Sequence, residues 1–202
     1  AGFNYLIEVE RYSKNALTQG RNLLTLEICK KMIRQFLQYD ARRAAQGTLI
    51  LKGVETKLDF EMQHPTLKLP MKFTGVVDRL EVYDNAFIIW DYKSGAIGQS
   101  DLSLSGLGDL WKGSKGKPLQ ILLYAWLLWK KELVTHPFPW HSGMFKLQSG
   151  QPEHLLRGAA LGKSNDITEA LLFDFEQALC DYLSEVHSNG LPFVEIPRYE
   201  FN

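Results

Sequence analysis

Three ionisable residues, Asp78, Asp91 and Lys93, stand in an order that could hold a metal ion and act on a phosphate ester. They flank the turn dipeptide Asp84-Asn85, and the runs on either side, Met71 to Val82 and Ala86 to Lys93, are rich in strand formers, so the stretch reads as a β-hairpin. Counting outward from that turn, Asp78 falls opposite Asp91. Directly opposed Cβ atoms sit about 4.5–5.5 Å apart, and like charges there repel unless something cationic lies between them. Period-two alternation puts Lys93 on the same face, with Val76, Leu80, Val82, Phe87 and Ile89. A divalent cation would offset the repulsion and leave coordination positions for water and a phosphate oxygen. Oxygen ligands with no His or Cys nearby favour magnesium or manganese over zinc. Such an ion polarises a phosphoryl group and lowers the pKa of bound water, while Lys93 could orient that water or neutralise developing charge. This equipment suits phosphodiester hydrolysis. The same residues admit a plainer arrangement, in which Lys93 pairs with Asp91 at the core edge and Asp78 accepts from backbone donors; a one-residue slip would separate the acids altogether.

The strings Gly75-Val76-Val77-Asp78-Arg79-Leu80-Glu81 and Asp91-Tyr92-Lys93-Ser94-Gly95, followed by Gln120-Ile121-Leu122-Leu123-Tyr124, resemble the signature of the PD-(D/E)xK nucleases. More narrowly, they resemble the RecB/AddB-type branch, whose members carry a G-x-x-D-R strand, a D-Y-K-(S/T)-G strand and a helical Q-x-x-x-Y. The likeness covers roughly Thr48 to Leu147, and the region from Phe175 to Pro197 is loosely similar to the end of AddB-like proteins. It implies an α/β, restriction-endonuclease-like core of order α-β-β-β-α-β, with a mixed sheet flanked by helices. It also implies a Mg2+- or Mn2+-dependent DNA nuclease, of exonuclease type, working with a helicase domain or subunit in double-strand-break repair and recombination. By that resemblance Asp78 and Asp91 are metal ligands, the Tyr92 carbonyl completes the site, Lys93 is the catalytic lysine, and Gln120 and Tyr124 help place the substrate strand. Read without it, Gln120 is a helix-capping amide and Tyr124 a core side chain. Arg79 falls on the opposite sheet face from Asp78, across from Trp90, where stacking or a salt bridge with Glu81 competes with phosphate contact.

The chain departs from the family in two respects. Many relatives carry a further His or Glu on an upstream helix; Glu27, Glu55 and Glu61 are the acids available here, Glu55 being the one to watch and a solvated strand charge its simpler reading. AddB-like nucleases often use four cysteines to hold an iron–sulfur cluster. Cys29 and Cys180 alone cannot, and both read as buried thiols.

The elements that must position these residues follow from periodicity. Leu23, Leu24, Leu26, Ile28, Met32, Ile33, Phe36 and Leu37 predict one helix over Asn22 to Gln46, ending at Gly47. Thr48 to Gln63 reads as a strand closed by His64-Pro65. Ser94 to Gly116 is too long for a plain connection, so it is a functional or a mobile loop. Within it Trp111, Lys112, Lys115 and Lys117 could form a lip for a single strand, with Lys112 and Lys115 as substrate contacts; a solvated loop with a packed Trp explains them equally. Pro118 opens a helix to Lys131 whose apolar residues surround it, which predicts burial. Ser142 to Leu147 predicts a fourth strand and Ile167 to Val186 a last helix. His136 and His141, beside Pro137 and Pro139, suit a turn better than a metal site.

Composition bounds the rest. The 202 residues are 45% hydrophobic and carry 23 Lys+Arg against 23 Asp+Glu, which excludes a disordered tail and a protein wrapped in nucleic acid over its whole surface. Any polyanion is met locally. A chain of this length buries roughly 70% of its unfolded surface, enough for a core without disulfides. We expect a helical segment over 1–47, truncated at its start since the chain opens on Ala1, and a nuclease core with a C-terminal helix and tail over 48–202. The expected home is the cytoplasm, without membrane contact. Two rival readings stay open: a non-catalytic domain of the same fold that holds DNA or a helicase partner, and an unrelated α/β scaffold whose acid pair is structural.

Overall fold

The computed structural model describes residues 19–148, 153–158, 161 and 165–187. The part of the AddB-like comparison beyond residue 187 lies outside them. Helix α1, Gly20–Gln46, ends where the Gly47 amide donates to the Arg43 carbonyl. Strands β1 (Leu49–Met62), β2 (Met71–Tyr83) and β3 (Ala86–Lys93) form an antiparallel meander. Asp84 and Asn85 both take left-handed backbone angles, φ 46° and 67°, as a two-residue hairpin turn requires. Helix α2, Gly116–Lys130, is the crossover that lets β4 (Trp140–Lys146) run parallel to β3. The short β5 (Glu153–Leu155) extends the sheet, giving the order β1-β2-β3-β4-β5. Helix α3, Glu169–Val186, starts at Thr168, whose hydroxyl accepts from the Leu171 amide.

One face of the sheet carries α2 and α3, the other α1. Leu80, Val82, Phe87 and Ile89 join Ile121, Leu122, Trp126 and Leu128 of α2 and Leu172 and Phe175 of α3 in the main core. Ile88, Trp90 and Phe145 meet Phe36 and Tyr39 of α1 on the other side. The burial predicted for α2 follows from its position between the sheet and α3.

Three expectations change. Val76, assigned to the apolar face, is 39% exposed, and Val77 is buried in the main core instead. The reason lies in β1, where Glu55 has φ 47° at the position facing Asp78, between the pairs Val54–Arg79 and Thr56–Val77. Alternation breaks there, so Phe73 and Val77 before it and Leu80 after it all pack toward α2. Second, the stretch after Lys93 is anchored by its own side chains. It forms three short 3-10 turns, buries Leu102, Leu104 and Leu110, and Leu104 donates to the Arg157 carbonyl. Third, Cys29 is exposed on α1; only Cys180 is buried, its Sγ 3.8 Å from Met62 Sδ.

Candidate active site

The hairpin adopts the register counted from its turn: Arg79 pairs with Trp90, Leu80 with Ile89 and Glu81 with Ile88. The next position outward brings Asp78 beside Asp91. The Asp78 carboxylate reaches across and accepts the Tyr92 backbone N–H at 2.5 Å. Asp91 is only 4% exposed. Its Oδ1 accepts from Gln120 Nε2 at 2.9 Å, and its Oδ2 lies 2.7 Å from Lys93 Nζ. Lys93 also donates to Gln120 Oε1 at 3.2 Å, and Gln120 Nε2 donates to the Tyr124 hydroxyl at 2.8 Å. Gln120 therefore spends both polar ends within the cluster, fixing the acid, the amine and the phenol relative to one another.

Placing Gln120 and Tyr124 requires α2 to approach β2 closely, and Gly75 permits it. A Cβ at that position would stand 3.2 Å from the Tyr124 ring, tighter than ordinary carbon contacts. This gives the glycine of the G-x-x-D-R string a steric purpose.

The electrostatics follow from the crowding. Burial pushes the Asp91 carboxyl up from its ordinary range; Lys93 opposes that push and the Asp78 charge adds to it. Burial also raises the Tyr124 hydroxyl, and the charges of Asp91 and Asp78 raise it further. Asp91 Oδ2 is buried, and Lys93 is the partner that meets it there. The plainer contacts foreseen from sequence, a Lys93–Asp91 salt bridge and a backbone donor on Asp78, are thus both present in this geometry.

Other candidates lie apart. Lys112 pairs with Asp109, and Lys115 donates to the Ser103 carbonyl at 2.8 Å, so both make contacts within their own loop. Glu27 pairs with Lys30, Glu61 faces Lys72 across the strands, and Glu55 is exposed. Among the described residues no group of three or more His, Cys, Asp or Glu side chains could hold an ion. His136 contacts the Asn85 carbonyl of the hairpin turn, whereas His141, expected in a turn, lies within β4 and contacts the Asn165 carbonyl. Sequence reasoning missed Asp40 and Arg43 of α1, which reach Arg79 and Glu81 behind the site. Nothing local marks them, since the contacts span 38 and 39 residues.

A meander joined through a crossover helix to a parallel strand, with two acids and a lysine at one end of its central hairpin, defines an α/β protein of restriction-endonuclease-like fold. The family model of the PD-(D/E)XK nuclease superfamily matches residues 6–197, and the chain belongs to that superfamily. Membership suggests nuclease activity, which in this superfamily generally relies on divalent metals such as Mg2+. A comparison with curated proteins found no match. The donor set fits such an ion by its chemistry: two carboxylates on neighbouring strands, Asp91 nearly buried and raised partly by the charge of Asp78, which a cation between them would offset.

Proposed function

We propose that this domain is a Mg2+- or Mn2+-dependent deoxyribonuclease of exonuclease type, the nuclease part of a RecB/AddB-like helicase-nuclease that acts in double-strand-break repair. The observation that carries the reading is the convergence of Asp78, Asp91, Lys93 and Gln120, with the Asp91 carboxyl group nearly buried. Asp78, Asp91 and the Tyr92 carbonyl would hold the ion, which when bound supplies charge to polarise the scissile phosphate and acidify a water. Lys93, held by Asp91 and Gln120, keeps its ammonium at the mouth of the cluster, where it neutralises charge developing on the phosphate. Gln120 orients that ammonium, and Tyr124 borders the apolar cleft formed with Phe73, Gly75, Leu119 and Leu123, along which the strand is placed. The narrower family branch rests on the three strings in order.

One observation favours a second reading. Lys93 already sits against Asp91, as in an inert domain of the same fold that only holds DNA or a helicase partner. Linear DNA and Mg2+ separate the two. Wild-type protein should release nucleotides or short fragments, while Asp91→Ala and Lys93→Ala should abolish release and leave DNA affinity within a few-fold. Cleavage that survives both substitutions removes this centre from the reaction; no cleavage by any of the three proteins favours the binding domain.

A further inference from the structure

On the sheet face opposite the acid pair, the same two strands carry a second charged cluster that the proposed chemistry does not use. Arg79 Nη1 donates to Asp40 Oδ2 of α1 at 2.6 Å, and its Nε lies 2.6 Å from Glu81 Oε2. Arg43 Nη2 lies 2.5 Å from Glu81 Oε1, which also accepts from Trp90 Nε1 at 2.8 Å. Glu81 is fully buried, and Arg79 and Arg43 nearly so. Burial by itself would lower the affinity of the Arg79 guanidinium for its proton, but hydrogen bonds to Asp40 and Tyr92 and the charge of Glu81 more than reverse this. Two acids and two guanidinium groups leave the cluster neutral.

Buried ion pairs contribute little net stability compared with apolar packing; their best-attested use is to fix register. Register is what this site most needs. A one-residue slip between β2 and β3 would turn one strand's acid away from the other and bring its charged partners to the wrong helix. Tyr92 links the two faces. Its backbone N–H holds the Asp78 carboxylate, while its hydroxyl lies 3.5 Å from Arg79 Nη1 and its ring meets Phe36 of α1 edge-on. The Arg79 guanidinium, directed at α1, is placed to hold this junction rather than a phosphate.

We infer that Arg79, anchored by Asp40 on α1, is a positioning residue for the metal centre: it clamps Tyr92 and the hairpin register from behind, so that Asp78 and Asp91 face one ion. The inference rests on the metal-dependent reading above. It makes α1 part of the site's support rather than a mere cover, and it assigns the arginine of the D-R string a task other than substrate contact.

The test measures Mn2+ binding without DNA, by the electron paramagnetic resonance signal of free Mn2+, on the full chain and on Arg79→Met, Arg79→Lys and Asp40→Asn. Thermal unfolding in chelator is measured in parallel. Arg79→Met should weaken Mn2+ binding tenfold or more, and raise the Mg2+ concentration for half-maximal cleavage by a similar factor. Arg79→Lys should recover part of the loss, since an ammonium can pair with Asp40 but cannot also reach Glu81 and Tyr92 as the guanidinium fork does. If Arg79→Met fails to fold, the isosteric Asp40→Asn carries the same comparison. Folded variants that melt at lower temperature yet bind Mn2+ as tightly as wild type overturn the inference alone, leaving the cluster a plain strut. A wild-type protein that binds no Mn2+ overturns the metal-dependent reading and this inference with it.

Discussion

Asp91 is the residue at which the two readings of the site differ in sign. Burial pushes its carboxyl up, so keeping it ionised in the folded protein costs stability at neutral pH, and that cost fades as pH falls toward the carboxylate range. Acids that serve a site are commonly kept at some cost to stability. In chelator, Asp91→Asn should therefore melt above wild type at pH 7, with the gap closing as the pH is lowered. Added Mg2+ should raise the melting temperature of wild type and leave the variant unmoved. A variant that melts well below wild type under both conditions shows the Lys93–Asp91 pair to be a strut. The acids and the lysine were legible because the turn dipeptide fixed their register. Asp40 and Arg43 were not, because their partners come from a distant strand and neither sits in a motif.

At the scale of elements, the site depends on how closely α2 approaches β2. Gly75→Val would press against the Tyr124 ring, where even a single Cβ comes within 3.2 Å, and displace the hydroxyl that Gln120 holds. The expected result is a fall in turnover of about 10- to 100-fold with cooperative unfolding retained, since small misplacements of positioning groups are costly to rate. Substituting α2 on its core side should act the other way round. Leu122 is wholly buried, and Leu122→Ala should lower stability by about 2–5 kcal/mol in urea titration while the remaining folded protein keeps its turnover. The sequence marked α2 as buried through apolar residues all round it. It did not mark the break of alternation at Asp78, because that break comes from the left-handed backbone of Glu55 on the neighbouring strand.

For the whole molecule, balanced charge means that contact with a polyanion is confined to a few side chains. If the strand passes over the loop after β3, the exposed Lys112 is the cation it meets, and Lys112→Ala should reduce the slope of log affinity against log salt by about 1, with turnover at saturating DNA little changed. Measured affinities at several salt concentrations check this; an unchanged slope places the strand elsewhere. The sequence by itself determined the order of helix, three strands, helix and strand, and the hairpin within it, because periodicity and turn chemistry are local; that the three strands form one meander and the fourth runs parallel came from the family resemblance and the structure. The sequence also set the register that brings Asp78 beside Asp91, since strand pairing about a defined turn follows from counting. Only the tertiary structure decided that the long loop is anchored, that Gln120 joins Asp91 to Lys93, and that α1 grips the same hairpin through buried charges. Those contacts join residues far apart in the chain, and their geometry is set by how helices stack on the two faces of a twisted sheet, which no local pattern encodes.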